Sequence, residues 1–509
     1  MRHRAALCGL ALLAAACSAN GGQGSSDGTF TMAIAADPDN LNPLASSSAY
    51  THAIGRFMYD SLVYLRPDGS ITSGLATSWK QGPTGVTFTL GKGITCAGGT
   101  PLKPSDLAAD FAYVTDPRNG SQLLGGNVPA GLKAKADDRA GTLTLTVTKP
   151  DPFLLRKTAD VLLVCPRGLR DPGLLKRGAD GTGPYTLSEA VADDHYTLVK
   201  RTGYRWGPGG LTSAEPGLPD KVVFKVVKNE TTAASLLLAG QINAASVRGA
   251  DRQRLEAAKL FTRQARAVLG EMFFNQAKGR PGADERVRRA LATALDLPEL
   301  AKALTGGTGL PTQSLVTVEP KACAGDSVTG NLPAHDPEQA KALLAQAGWG
   351  RNGKPLGLTL LYTSELGARA TATAELMAQR LRPLGIELTV KQAVRGEFAQ
   401  IVFGSGDWDI TLLPIGASLP TDLTPFVSGP TPPKGSNFAH IGNPDYERAV
   451  AKAAGGGGCT DWLAAESALV RRVDVVPFAD DTIPIFAGGA RFEVVAGEVS
   501  PQSIRMTTR

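Results

Sequence analysis

Cysteine and histidine are scarce in this chain: 509 residues hold six cysteines and five histidines. No two cysteines are spaced Cys-x-x-Cys, and none has a histidine nearby at ligand spacing, which argues against a zinc site. Catalytic motifs are missing as well. There is no G-x-S-x-G elbow, no H-E-x-x-H, no P-loop and no complete G-x-G-x-x-G. The fragments GTG at Gly181 and GSG at Gly404 lack the rest of any motif and read as turns. Charge of one sign is lacking too. The 53 Lys and Arg stand against 47 Asp and Glu, a net +6, with no run of five or six basic residues, so nothing reads as nucleic-acid binding. No stretch reaches the about 20 apolar residues of a transmembrane helix. These absences leave no cofactor, no metal and no catalytic residue to expect. An enzyme would have to assemble its catalytic group entirely by folding, as a secreted hydrolase could.

What is present begins with an address. Arg2 and Arg4 precede the apolar run Ala5 to Ala16, and three alanines stand before Cys17. A basic start, a short apolar run and small residues before a cut are the marks of a secretory signal over residues 1–16. The Cys after three small residues resembles a bacterial lipobox, although the usual large aliphatic residue three before the Cys is Ala14 here. Cys17 is therefore the expected lipidated first residue of the mature chain, at the extracellular face of the cell membrane. After Cys17, Ser18 to Gly28 reads SANGGQGSSDG, too poor in apolar groups to fold, so residues 17–28 read as a lipid-anchored flexible tether. Loss of residues 1–16 removes two arginines and no acid, so the net charge of +6 falls to about +4. Glycine (59) and proline (34) are abundant, short of the disordered range, and imply a loop-rich folded protein.

Export changes the meaning of the remaining cysteines. Cys96, Cys165, Cys323 and Cys459 are even in number, in a compartment where disulfides persist. Three pairings are possible. Pairing neighbours, Cys96 with Cys165 and Cys323 with Cys459, keeps each bridge in one half of the chain and is the expectation. Each bridge would close a long loop, worth about 4 kcal/mol on the chain-entropy model.

Along the chain, Thr29 to Ala35, Gly85 to Gly91 and Gly141 to Lys149 alternate as strands. Lys221 to Val227, a helix over Glu230 to Ala239 and a strand over Gln241 to Val247 form a β-α-β unit. Val287, Ala290, Leu291, Ala294 and Leu295 make one apolar helical face. Asp336, Pro337 and Gln339 open a helix that Gly348 closes. Leu358 to Thr363, Ala370 to Arg382 and Ile386 to Lys391 form a second β-α-β unit. Tyr204 and Trp206 read as packing over a sheet rather than as ligand contacts. Asp409 could either face a ligand at a strand end or cap a turn.

Several of these segments, in order, resemble the family 5 extracellular solute-binding proteins of ABC importers, the oligopeptide-, dipeptide- and nickel-binding group. GVTFTLGKGITCAGGTPLKPSDLAADFAYV, Gly85 to Val114, is similar to the family's strand, turn and helix signature. Gly98 stands where the family has Asp, and Lys103-Pro104 replaces Thr-Ala; Lys103 is a poor cap, so that helix is expected to fray at its start. GTGPYTL, KVVFKVVKNETTAASLLLAGQIN, FFNQ, ERVRRALATALD, DPEQAKALLAQAGW and ALVRRVDVVPFADDTIPIF also match, over roughly residues 29 to 490. The neighbour-paired disulfides resemble those of some Gram-positive members.

The resemblance implies an α/β, two-lobed periplasmic-binding-protein-like clamp of class II, cluster C. Lobe I would comprise residues 29–262, with a subdomain inserted over about 62–178, and the return segment 478–509. Lobe II would comprise 263–477. It further implies a monomer that binds a small solute, by default a peptide, and hands it to ABC permease subunits without making or breaking a bond. A solute sensor without a transporter is the alternative on the same fold. The implied cleft residues are Leu41 and Asn42 after the first strand, Phe274 and Asn275 at the first crossing, and Trp408, Ile415 and Gly416 at second-lobe strand ends. Peptide-binding members pair the peptide amine with an Asp in the second lobe. The region Ile415 to Val427 lacks the usual Ala-Asp, and Asp422 is the nearest acid.

Lipid anchoring at Cys17 is tested by fractionation. Cys17→Ala should move the protein from the membrane to the soluble extracellular fraction, and retention of the variant in the membrane would exclude the anchor.

Overall fold

The structure is a computed structural model that describes residues 28–38, 40–350 and 355–507. The signal segment, Cys8, Cys17 and the tether up to residue 27 lie outside the described residues. Among those described, no helix is long and apolar enough to cross a membrane.

One ten-stranded sheet runs through the molecule. On one side, Thr29–Ile34 pairs in parallel with Lys221–Val226 and with Ala244–Ser246, and the helix Glu230–Leu238 makes the crossover between the latter two. That helix starts where expected because the Asn229 side chain accepts from Thr232 N–H. The hairpin Tyr185–Val191 with His195–Lys200 closes this edge. On the other side, Leu356–Thr363 pairs in parallel with Ile386–Ala393 through the helix Gly367–Leu381, and with Ile410–Leu412.

Two long antiparallel strands, Phe261–Phe274 and Val475–Ala487, join the halves. Of the second crossing strand, only the stretch Ile485 to Ala487 pairs with Ala244–Ser246, and of the first, only Met272 to Phe274 pairs with Ile410–Leu412. Between those ends the sheet is two strands wide, with a register shift at Gly270 and a single outside backbone bridge, Leu310 to Asp480. A Cβ at Gly270 would lie 2.6 Å from the Phe478 ring. A narrow two-strand ribbon with a bulge is the part of the sheet where bending disturbs the fewest neighbours.

Each half has its own apolar core. Phe30, Phe57, Phe88, Phe111, Tyr196 and Phe224 belong to the first, which also takes in Phe492 and Ile504 from the chain end. Met272, Leu291, Leu360, Met377 and Ile410 belong to the second, with an adjoining cluster around Phe273, Trp408 and Phe438. A separate four-stranded antiparallel sheet, Ala76–Gly82, Gly85–Leu90, Thr142–Thr146 and Lys133–Asp137, packs with the helix Pro104–Thr115 on the first half. Cys96 is bonded to Cys165, and Cys323 to Cys459. The first bridge closes off a turn in which Cys96 N–H donates to Thr100 O and Gly99 N–H to Cys96 O, both at 2.8 Å. The start of the Pro104–Thr115 helix does not fray. Asp106 accepts from Lys103 N–H, and Asp138, from the turn between two sheet strands, accepts from Ser105 N–H and Oγ–H at 2.8 Å each. Half of this cap, Asp106, lies in the helix's own first turn, and the other half, Asp138, comes from a distant segment that local sequence does not show.

The second core encloses an ion pair. Arg288 and Asp474 are each 1% exposed and 3.0 Å apart, and the guanidinium also donates to the carbonyls of Gly282, Arg472 and Val473. Removing one partner strands the other charge in the interior, at a cost of about 3–5 kcal/mol. Arg288→Met should therefore lower the urea unfolding midpoint sharply, and adding Asp474→Asn should restore part of it. Equal midpoints for wild type and Arg288→Met would rule out this account.

Candidate functional site

The parallel strands Thr29–Ile34, Lys221–Val226 and Ala244–Ser246 all end at one edge, where α/β sheets leave room for ligands. A cavity of about 200 Å³ lies there. Ile34, Ala35, Val227, Ser246 and Arg248 line it from the strand ends, Tyr50 and Ala53 from the helix Ala49–Met58, and Ile483 and Ile485 from the second crossing strand. Its floor is thus the crossing ribbon itself. Glu230 is also on the wall, but its Oε2 already accepts from Arg248 and Gly249 N–H at 3.2 and 2.8 Å, which shapes the loop. Glu498 completes the wall.

The matching strand-end loop of the other half also lies on the ribbon. Leu413 N–H donates to Glu271 O at 3.1 Å, and Ile415 N–H donates to Glu271 Oε2 at 2.7 Å. One residue of the first crossing strand therefore sets the path of residues 413–416 through both its backbone and its side chain. Burial pushes the Glu271 carboxyl up to about 8, so it is neutral at pH 7 and holds the loop without placing a charge there. Beside it, Arg266 Nε donates to Asp480 Oδ2 at 2.8 Å across the ribbon, and Thr312 Oγ donates to Asp480 Oδ1 at 3.0 Å. Burial raises Asp480, and Arg266 and Thr312 oppose the shift.

The two halves touch away from the ribbon. Phe153, beside the inserted sheet, packs on Trp462 with ring centroids 5.6 Å apart. Trp462 stands three residues after Cys459, in a small cluster with Cys323 and Ala453. Arg156 donates to Pro320 O, and Ala496 N–H donates to Glu319 O at 3.1 Å. The Cys323–Cys459 bridge thus ties together the two segments of the second half, around Pro320 and Trp462, that meet the first.

Five of the seven expected cleft residues are buried here. Leu41 is 1% exposed, with N–H to Leu175 O and carbonyl from Tyr59 Oη–H. Asn42 spends its side-chain oxygen on Leu44 N–H. Phe274 and Trp408 are 0% exposed in the second core and its adjoining cluster. Asn275 donates to the carbonyls of Gly406 and Trp408, bracing the loop ahead of Ile410–Leu412. These five shape the loops around the site but offer little surface to a solute. Ile415 is half-buried and Gly416 exposed, with nothing within 4 Å of a Cβ built on Gly416. Asp409 is tied to Thr359 N–H and Arg280, and Asp422 spends Oδ2 on Ser418 and Leu419 at the start of the helix Pro420–Val427. Tyr204 and Trp206 donate to the buried Asp60. Sequence reading missed Glu271, Arg248 and Glu498; an acid inside an apolar strand was the available signal for Glu271.

Two cores joined by a two-strand ribbon, with strand-end loops of both halves lying on it, define a two-lobed solute-binding clamp. The model of the bacterial extracellular solute-binding proteins, family 5 (middle region), matches residues 70–437, and the chain belongs to that family. It is similar to the periplasmic murein peptide-binding protein MppA of Escherichia coli K12, 25% identical over 87% of this chain and 85% of that protein. It is also similar to the glutathione-binding protein GsiB of Shigella boydii, 26% identical over 83% and 82%. Among solved structures, a substrate-binding protein of Microbacterium hydrocarbonoxydans complexed with 4-hydroxybenzoate hydrazide aligns at a TM-score of 0.73. That pair is 25% identical, over 94% of this chain and 100% of the other. CtaP of Listeria monocytogenes aligns at 0.78 with 20% identity, over 94% and 99%.

Phe153 and Trp462 pack across the two halves, so separation of the lobes is expected to part them. Such ring pairs contribute about 0.5–1.5 kcal/mol beyond their buried area, so Phe153→Ala should shift the closed-to-open ratio about two- to tenfold toward open. Small-angle scattering of the ligand-free variant should show a larger radius of gyration than wild type; identical curves would sink the claim.

Proposed function

We propose that this protein is the lipid-anchored, extracellular substrate-binding component of an ABC importer. It takes a small solute, a peptide by preference, between its lobes and presents the closed form to a membrane permease. In this reading the lobes comprise residues 29–262 with 478–509, and 263–477, and the insert is about 62–178. The observation that carries it is the ribbon: strand-end loops of both halves rest on the same two strands, so one solute can touch both lobes and favour closure by its differential affinity. Peptide preference draws support from relatives whose names describe peptide binding, MppA among them. Ile415, Gly416, Tyr50, Ser246, Arg248 and the aliphatic floor Ile483 and Ile485 are the proposed contacts. No bond changes in the solute, and the chain acts as a monomer through its lipid at Cys17.

Native mass spectrometry of protein purified from its own host should show a co-purified small molecule, and a peptide mixture should raise its melting temperature. Binding of a set of sugars or metal chelates with no response to peptides would replace the peptide reading with another solute class. Turnover of the bound compound would replace it with a hydrolase.

A further inference from the structure

The first half holds a second cavity, of about 340 Å³, away from the crossing ribbon. Every residue on its wall belongs to the first half, and none to the two crossing strands. It shares only Glu498 with the strand-end cavity. Tyr64, Leu65 and Pro67 line it from the strand Val63–Leu65 and the turn that follows, Leu211 from a loop, and Val495 and Pro501 from the chain end. Its size lies within the range of small-molecule pockets.

Two lining residues, Gln502 and Arg56, each carry a buried polar atom with no hydrogen-bond partner among the described residues: Gln502 Oε1 and Arg56 Nε. Gln502 is 1% exposed, and its amide has a fixed orientation. Tyr204 Oη donates its one proton to Asp60 Oδ1 at 2.8 Å, so toward Gln502 it can only accept, and Gln502 Nε2 donates to it at 3.3 Å. The amide oxygen is the end left over. Arg56 reaches Asp160 through a terminal guanidinium nitrogen at 3.3 Å, and its Nε–H stays unused. A sheltered polar atom without a partner costs its full desolvation, and native proteins keep few of them. Here one is an acceptor and one a donor, and they do not meet each other.

The charges around this cavity cancel. Arg56 is paired with Asp160, and Glu493 with Arg263 at 3.0 Å. That leaves Arg66, exposed and donating to Thr72 Oγ1 at 3.0 Å, against the half-buried Glu498. A molecule in this space meets no surplus of either sign, so the fitting ligand is uncharged. It must bring one donor and one acceptor, together with apolar surface for Leu65, Pro67, Leu211, Val495 and Pro501.

We propose that this cavity is a second small-molecule site, confined to the first lobe, and that it takes an uncharged, ring-bearing carboxamide or lactam. The ligand N–H donates to Gln502 Oε1, its carbonyl accepts from Arg56 Nε–H, and its ring packs on the prolines and aliphatic side chains. This site goes beyond the solute-binding reading above and does not rest on it, because its walls include no residue proposed there as a contact.

The test uses the mature full-length chain with benzamide and nicotinamide as probes, and N,N-dimethylbenzamide, benzoate and benzylamine as controls. Affinity is read by calorimetry, and the place of binding by amide hydrogen exchange. The two carboxamides should bind, and N,N-dimethylbenzamide, which keeps the carbonyl but lacks the N–H, should bind about tenfold more weakly. Benzoate and benzylamine should be weaker still. Benzamide should slow exchange in residues 64–72 and leave residues 413–416 unchanged. Gln502→Met should erase the preference for benzamide over its dimethyl analogue. Leu211→Trp, which fills the cavity, should abolish benzamide binding and leave peptide binding between the lobes as in wild type; it decides the matter if Gln502→Met does not fold. Protection at 413–416, wild-type affinity in Leu211→Trp, or charged controls that bind as well as benzamide overturn the proposal. So does the absence of binding by any probe at millimolar concentration, which would mean that ordered water alone serves the two groups. Benzamide bound at this site by a protein that takes no peptide would sink the peptide reading and leave this one standing.

Discussion

The pairing of Phe261–Phe274 with Val475–Ala487 is the constraint on which the rest of the molecule depends. Its ends are each locked into a different half of the sheet, while its middle is only two strands wide, with one further backbone bridge from Leu310 to Asp480. Each half can be rigid because it has its own core, and yet the halves stay in register because both crossing strands are continuous. Both strand-end loops rest on this ribbon, so a change in its bend is a change in the distance between them. The site and the hinge are built from the same residues: Ile483 and Ile485 floor the cavity, and Glu271 holds the opposite loop.

Buried polar groups do much of the positioning. Asp60 takes donors from Tyr64, Thr182, Tyr204 and Trp206, and so fixes the aromatic loop against the first core. Arg288 and Asp474 fix the turn that leads into the second crossing strand. Glu466 accepts from Ser314, Leu315 and Ser327, which orders the long loop that carries Pro320 and Cys323. In each case a single side chain collects several donors from distant segments, so it narrows the ways those segments can pack.

Where structure follows from neighbours in sequence, it was legible. The alternation in Thr29–Ile34 and Gly85–Leu90, the Asn229 and Asp336 caps, and the two β-α-β units all depend on contacts within a few residues. The family motifs were legible for the same reason, and so was the pairing of Cys96 with Cys165 once export was recognised. The crossing strands were not. Val475–Ala487 carries two prolines and two adjacent aspartates, and Phe261–Phe274 carries arginines, a glutamate and a glycine. Such residues argue against a central strand when read locally. They are accommodated because Asp480 finds Arg266 across the pair and Gly270 sits at the bulge. Most of the expected cleft residues proved buried for a related reason: a strand end in sequence can face the cleft or the core, and only packing decides which.

By itself, the sequence determined the family, the α/β class and the cysteines available to bridge, because these depend on composition, short motifs and local periodicity. The tertiary structure alone decided which carboxyls are committed to hydrogen bonds, since that depends on partners brought together from far along the chain. Asp422, the acid nearest the expected anchor, gives one carboxylate oxygen to its own helix start, whereas Asp60 collects donors from Tyr64, Thr182, Tyr204 and Trp206. Hydrogen-bond saturation is a property of the folded surroundings, and no reading of single residues can supply it.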